Sequence, residues 1–270
     1  MCHYCDYQIP APAACPKCGF RGILYGGFGT QKLEQEIKTR FPNASVLRMD
    51  TDTMQAPGSH ERALSQFRNG KVQILLGTQM IAKGLDFPNV TLVGVINADT
   101  ALHLPDFRAA ERTFHLLTQV AGRTGRGEKS GRVIVQTFTP DHPAITAAAK
   151  HDYAAFIKQE LPIREMLGYP PFTKMVRVVV RGEEEEKTSA FAKDFAEKLS
   201  RQTATVPETV KILGPAPAPF AKLRNLYRFH IHLHSLDGEK IRSAVQDVTL
   251  KMKPPKNVQY IIDIDPLDML

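Results

Sequence analysis

The sequence predicts an α/β protein in which a domain with a parallel sheet is preceded by a short cysteine module and followed by a small α+β domain. Three observations carry this reading. Short apolar runs alternate with helix-period segments between residues 30 and 138, as in parallel α/β sheets. From residue 168 the order becomes strand, helix, strand, strand, helix, strand, the split arrangement of ferredoxin-like domains. All four cysteines fall in the first 18 residues, as two Cys-x-x-Cys pairs.

Residues 1–22 are too short and polar for a hydrophobic core. Cys2, Cys5, Cys15 and Cys18 form pairs separated by nine residues. Each pair directs two thiolates at one metal, and zinc takes four in a tetrahedron. Pro16 and Gly19 suit a tight turn around the second pair, and His3 is a bystander. A redox pair or spare thiols are the alternatives; structural disulfides are disfavoured in a reducing cytosol.

Residues 23–167 carry the parallel-sheet pattern. A helix is predicted over Thr30–Phe41, with Thr30 as N-cap and Pro42 beyond its end. A strand follows over Ser45–Met49, then a helix over Ser59–Asn69 capped by Ser59 and closed by Gly70. Buried strands are expected over Val72–Leu76 and Thr91–Ile96, a long helix over Asp106–Val120, a strand over Arg132–Phe138 and a helical stretch over His142–Leu167.

Residues 168–270 begin with the rigid hinge GYPPF, residues 168–172. Strands are expected over Lys174–Val180, Val210–Leu213, Tyr227–His234 and Gln259–Ile264, and helices over Glu183–Arg201 and Glu239–Lys251. The linker Gly214–Arg228 is stiffened by three prolines. It carries Lys222, Arg224 and Arg228 with the aromatics Phe220 and Tyr227. Such a basic arm suits a nucleic-acid backbone; a solvated hairpin is the alternative.

The 270 residues are 43% hydrophobic, enough for a core in each half. The net charge of +7 suits a polyanionic partner without establishing one. No apolar run approaches the roughly 20 residues of a membrane-spanning helix. The first residues show no charged leader with an apolar stretch, so a cytoplasmic protein without a membrane partner is expected.

Two segments read as binding loops. LGTQMIAKGLDFP, residues 76–88, follows a buried strand and so falls at the carboxyl edge of the sheet, where α/β proteins bind ligands. QVAGRTGRG, residues 119–127, places Gln119, Arg123 and Arg126 at a helix end and its turn. Arginine grips phosphate through a planar donor fork and can stabilise charge in phosphoryl transfer. A phosphate loop is missing: GRTGRGEKS, residues 122–130, fails G-x-x-x-x-G-K-[ST] by the inserted Glu128. GGFGT, residues 26–30, has no lysine at the right offset, and no acidic box follows a buried strand.

TQMIAKGLDFPNV (residues 78–90) followed by LLTQVAGRTGR (residues 116–126) resembles motifs V and VI of superfamily 2 helicases, carried by the second of their RecA-like lobes. The chain resembles one family along its whole length, the bacterial replication-restart helicases or primosomal protein N-prime family. The resemblance rests on the cysteine pairs, the G-x-G-T of Gly27–Thr30 and RMDTDT at residues 48–53. NAD and PDFRAAER within residues 97–112, GYPPF, and DIDP at residues 263–266 extend it.

The resemblance implies the C-terminal part of an ATP-dependent helicase that unwinds DNA 3′ to 5′ and restarts replication through primosome assembly. The first lobe would supply the phosphate loop, the DExH box, and most contacts to ATP and Mg2+, so this stretch alone is expected to be inactive as an ATPase. By motif position, Arg123 and Arg126 would face that ATP, with Arg126 the finger, and Gln119 would couple nucleotide to lobe closure. Gly84 and Asp86 would line the nucleotide side, and Thr78 and Gln79 would touch the DNA backbone. Lys83 would contact phosphate or remain solvated. Forked and single-stranded DNA, single-stranded DNA-binding protein and other primosome proteins are the implied partners. Asp50 and Asp52, beside Arg48, read as loop-capping carboxylates rather than metal ligands.

Two departures stand out. Gln31 replaces the family's glutamate after G-x-G-T. The family's zinc module carries eight cysteines in nested pairs around two zinc ions; only its last two pairs occur here, so at most one zinc is expected. A non-motor zinc and DNA-binding module with a helicase-like lobe is the competing reading, although paired finger arginines argue against it. A branch-migration helicase is disfavoured by the cysteine pairs and GYPPF.

Overall fold

The computed structural model describes residues 14, 18–19, 29–50, 53–78, 81, 87, 89–122, 130–204 and 210–270. The chain divides into two compact units. The described residues up to Leu102, with those of Ala110–Tyr153, form the helicase-like unit; His103–Ala109 and Ala154–Leu270 belong to the other.

The helicase-like unit runs α1 (Thr30–Arg40), β1 (Val46–Met49), α2 (Ser59–Arg68), β2 (Ile74–Gly77), β3 (Leu92–Val95), α3 (Asp99–Leu102), most of α4 (Ala109–Ala121), β4 (Arg132–Val135) and α5 (Pro143–Ala149). The strands pair in parallel, as expected for α/β connections, β1 with β2 and β3 with β4. Among the described residues no ladder joins the two pairs into one sheet, and every one of these strands is only four residues long.

Several predicted boundaries are corrected. Thr30 is the first helical residue and Gly29 the N-cap; the Thr30 hydroxyl donates instead to Asp50 Oδ2 at 2.6 Å. A carboxylate acceptor makes the stronger bond. Ser59 is likewise helical and caps nothing, Gly58 being the N-cap. The close of α2 is as read: Gly70, at φ +72°, sits in a Schellman turn, with Lys71 N–H donating to the Gln66 carbonyl and Gly70 N–H to that of Phe67. The strand expected from Val72 starts at Ile74, because Gln73 is held by the Ser45 side chain and carbonyl before the ladder begins. The long helix starts at Ala109, not Asp106. Asp106 instead holds the turn that leads into it, with its carboxylate accepting from Arg108 N–H (2.8 Å) and its carbonyl from Ala109 N–H (2.9 Å). The stretch 142–167 is two helices, α5 and α6 (Tyr153–Leu167), broken at His151 with φ +53°. α3 was not anticipated.

The C-terminal unit contains most of α6, then β5 (Lys174–Gly182), α7 (Glu185–Thr203), β6 (Val210–Leu223), β7 (Leu226–Ser235), α8 (Gly238–Lys251) and β8 (Val258–Ile264). The strand order is β6-β7-β5-β8 and every neighbour is antiparallel. This is the split β-α-β order the sequence predicts. Strand alternation gives the sheet two different faces. Val176, Val178 and Val180 of β5 and Phe229, Ile231 and Leu233 of β7 pack against Phe195 and Leu199 of α7 and Ile241 and Val245 of α8. The other face carries Arg177, Arg181, Arg228, His230, His232 and His234, as the registers Arg181↔Arg228, Val179↔His230 and Arg177↔His232 require.

The predicted linker Gly214–Arg228 is not a loop. Its first part extends β6 to Leu223, and after a two-residue turn at Arg224–Asn225 the chain returns as β7. Both turn residues have positive φ, 51° and 64°, the geometry whose twist matches a hairpin. The prolines are tolerated because β6 is an edge strand and needs no outward N–H donor.

Candidate functional site

At the carboxyl edge of the β1–β2 pair, Asp50 follows one strand and the exposed Thr78 follows the other. Asp50 accepts from Thr30 Oγ1, and from the Thr53 N–H at 2.9 Å. Arg48 Nε lies 3.3 Å from both Asp50 and Glu34. The Thr30 hydrogen bond, supported by Thr53 and Arg48 against the cost of burial, holds the Asp50 carboxyl below its usual value. Asp50 is thus the loop-capping carboxylate expected, and it ties the start of α1 to the end of β1. Gly77 closes the same edge. A Cβ there would meet the Met49 carbonyl at 2.6 Å and the Ile81 side chain at 2.9 Å, so the strand ends can approach this closely only without one.

Gln119 lies half-buried in the last turn of α4, and the Gly122 N–H donates to the Thr118 carbonyl as the helix closes. Arg123 and Arg126 come next in the chain but lie outside the described residues, as do Gln79, Lys83, Gly84 and Asp86. Of the nucleotide and motif V sets, the structure therefore places Gln119 and Thr78. Asp99, within the NAD of residues 97–99, pins the segment after β4: it accepts from Thr137 Oγ1 (2.9 Å), Thr139 Oγ1 (2.8 Å) and Phe138 N–H (2.9 Å). Cys18 is exposed, and Cys2, Cys5 and Cys15 lie outside the described residues. Among the described residues no three His, Cys, Asp or Glu side chains group as a metal site.

In the C-terminal unit the basic arm resolves into two different settings. Lys222 and Arg224 are exposed near the hairpin tip, with Lys222 Nζ 4.6 Å from the centroid of its cross-strand partner Tyr227. Arg228 is not on the arm's surface. It is 9% exposed on the face of the sheet away from α7 and α8, where burial first, then Arg177 and Arg181, lower its pKa.

That face holds residues the sequence reading did not select. Arg177 donates from Nη2 to Asp263 at 2.8 Å, and the same nitrogen is 3.8 Å from Asp268. His234 Nδ1 lies 2.8 Å from the Gly168 carbonyl. His230 is pushed down to about 3 by burial first, then by Arg177, His232 and Arg228. His232 is pushed down to about 4 by burial, His234 and Arg177, and His234 is also lowered, mainly by burial. The signal was present in RFHIHLH, residues 228–234, where Arg or His recurs at every second position of a strand.

These two units correspond to two known domain families. Residues 24–128 match the helicase conserved C-terminal domain, and residues 165–267 match the primosomal protein N C-terminal domain. A helicase-type second lobe joined to a primosomal C-terminal domain defines the class. Whole-chain relatives are the replication restart protein PriA of Bacillus subtilis, 44% identical over 272 residues, that of Synechocystis, 42% over 271, and that of Treponema pallidum, 41% over 271. The alignments cover 99–100% of this chain but 33%, 32% and 40% of those proteins, so it spans about a third of their length. The chain belongs to the PriA family and corresponds to its C-terminal part. No helix of the described residues is long and apolar enough to cross a membrane.

Proposed function

We propose that this chain supplies the second motor lobe and the C-terminal domain of an ATP-driven 3′ to 5′ DNA helicase that restarts replication at stalled forks. The observation that carries the proposal is motif VI. QVAGRTGR begins in the last turn of α4, within the matched helicase domain, so Arg123 and Arg126 follow directly from a helix end. Arginines in this position stabilise charge developing on a γ-phosphate held by the facing lobe. Arg126 acts as the finger, Arg123 supports it, and Gln119 relays nucleotide state to lobe closure. Gly84 and Asp86 line the nucleotide side, while Thr78, Gln79 and Lys83 touch the DNA backbone. Lys222 and Arg224 extend the DNA track at the hairpin tip. ATP and Mg2+ are held mainly by a first lobe, whose phosphate loop and DExH box this sequence does not contain. Forked DNA, single-stranded DNA-binding protein and primosome proteins are the partners of this reading.

The test is a chimera in which this chain replaces the matching third of the Bacillus subtilis relative. The chimera should show DNA-stimulated ATP hydrolysis, and Arg126→Ala should lower it by roughly a thousandfold or more. ATP hydrolysis by the chain alone, or full activity of the Arg123→Ala/Arg126→Ala chimera, would refute the proposal. The cysteine module is proposed to hold at most one zinc through Cys2, Cys5, Cys15 and Cys18; two zinc ions per purified chain would overturn that.

A further inference from the structure

The face of the C-terminal sheet away from α7 and α8 carries buried polar groups without a hydrogen-bond partner. Arg177 is 6% exposed, His230 and His234 are 4%, and Arg228 is 9%. Arg177 Nε and Nη1, Arg228 Nη1, and Nε2 of His230, His232 and His234 are buried without a hydrogen-bond partner. An unmet buried donor costs about 1–3 kcal/mol, more when charged, so an acceptor brought to these groups would be strongly favoured. The residues are neighbours by register: Arg228, His230, His232 and His234 alternate along β7, and Arg177 lies directly opposite His232 and diagonally from His230. The imidazoles of His230 and His232 are 5.7 Å apart, centroid to centroid.

The two histidines open onto a cleft of about 550 Å³ whose other walls include Phe107, Tyr169, Pro217 and Met269. Phe107 and Tyr169 stack there, with ring centroids 5.0 Å apart and planes 6° off parallel. Asp106 is also in the wall, and its carboxylate is committed to the Arg108 and Met269 N–H groups. The cleft therefore has two imidazoles at its base, arginines beside them on the same sheet face, and an aromatic wall, and its volume admits a ligand the size of one nucleotide.

The charge balance decides between a cation and an anion. Three neutral imidazoles in a row are metal-ligand chemistry, but Arg177, Arg181 and Arg228 share their face and repel a cation. Asp263 and Asp268 offset only part of that charge, and both sit at the Arg177 Nη2 end. The unmet groups of the arginines are donors only, and His230 and His232 can each present Nε2–H; His234, whose Nδ1–H donates to the Gly168 carbonyl, presents an acceptor at Nε2 while neutral.

We propose that this cleft is a phosphate-binding site, with His230 and His232 donating to one phosphoryl group and Arg177 and Arg228, beside them on the sheet, supplying positive charge. The phosphoryl group is carried either by a free nucleotide or by a nucleic-acid strand. The proposal does not depend on the motor reading, because it uses no residue of the helicase-like unit.

The test uses the full chain with its histidines labelled for NMR. Inorganic phosphate, a deoxynucleoside monophosphate and a single-stranded oligonucleotide are titrated in turn near pH 6. The expected result is that the His230 and His232 imidazole signals shift saturably and their titration midpoints rise by about one pH unit or more when the site is filled. Shifts with phosphate or the mononucleotide identify a free-ligand site, and shifts with the oligonucleotide alone identify a strand site; either supports the proposal. His230→Gln and Arg228→Gln should each weaken the responding ligand by roughly tenfold or more. His230 and His232 signals unmoved by all three probes would overturn it. Undiminished affinity in both variants, with circular dichroism matching the parent, would do the same.

Discussion

Acidification between pH 7 and pH 5 should destabilise the C-terminal unit, and the histidines of β7 set the size of the effect. In the folded unit His230 titrates at about 3 and His232 at about 4, against an ordinary value of 6.5. The folded state thus refuses protons that the unfolded chain accepts. Stability is full above about pH 6.5, falls as pH drops below it, and stops falling only near the folded values. Each group removes about 1.4 kcal/mol per pH unit inside that window, so at pH 5 each costs roughly 2 kcal/mol and the pair roughly 4 kcal/mol. Coupling between neighbouring imidazoles makes the sum an upper figure. Asp50 contributes in the opposite range: its lowered carboxyl adds stability that is lost only as pH falls below its ordinary 3.8. Urea titrations at pH 7, 6 and 5 read the slope directly, and the His230→Gln/His232→Gln variant removes both titrations while keeping amide donors. The parent should lose stability steeply across these three points and the variant much less, keeping only the part that His234 contributes. A parent that is flat from pH 7 to 5, or a variant with the same slope, would refute the burial argument.

Three further outcomes follow from the packing of the same unit. Gly182→Ala places a Cβ against the Thr188 hydroxyl and 3.0 Å from the Asn257 carbonyl, so thermal unfolding should show a loss of roughly 1–3 kcal/mol. Phe195→Ala empties a position with no solvent exposure at the centre of the α7–α8 core, and urea denaturation should show a loss of about 3–5 kcal/mol. Arg224→Gly relieves a positive φ of 51° that costs an ordinary L-residue about 1–2 kcal/mol, offset by roughly 0.5–1 kcal/mol of added freedom in the unfolded chain; a net gain of up to about 1 kcal/mol is expected in urea denaturation, and a clear loss would mean the turn is not held as described.

How much of this was legible in the sequence depends on where the deciding interaction lies. The helix-facing side of the terminal sheet could be read because Phe229, Ile231 and Leu233 alternate with His230, His232 and His234, and alternation is a local signal. The segment 214–228 reads as a linker, with a hairpin only as the alternative, because Pro215, Pro217 and Pro219 argue locally against a strand. Only the sheet order, which puts β6 at an edge, makes them acceptable there. Thr30 was misread as a cap for a similar reason: its acceptor, Asp50, is twenty residues away and reaches it only once β1 has formed. Motif VI could be read because its residues are contiguous, whereas Arg177, His230 and His232 come from two strands and meet only through register.

The two faces of the terminal sheet differ in a way that bears on function. The covered face satisfies itself, apolar side chain against apolar side chain, and a fold needs nothing more there. The other face places three arginines and three histidines on the central strands β5 and β7, although hydrophobic residues at those positions would bury more cheaply. Stability alone does not account for that choice, since burial lowers the protonation of all three histidines and the arginines oppose one another. A phosphoryl ligand would reverse each of these terms together. It would supply acceptors to the unmet donors, neutralise the arginine repulsion and raise the histidines toward their ordinary value. By linkage, saturating phosphate at pH 5 should then restore part of the stability lost on acidification, by RT ln(1 + [L]/Kd). The His230→Gln/His232→Gln variant should show little of that recovery. Equal recovery in both proteins would assign the salt effect to the surface and not to the cleft.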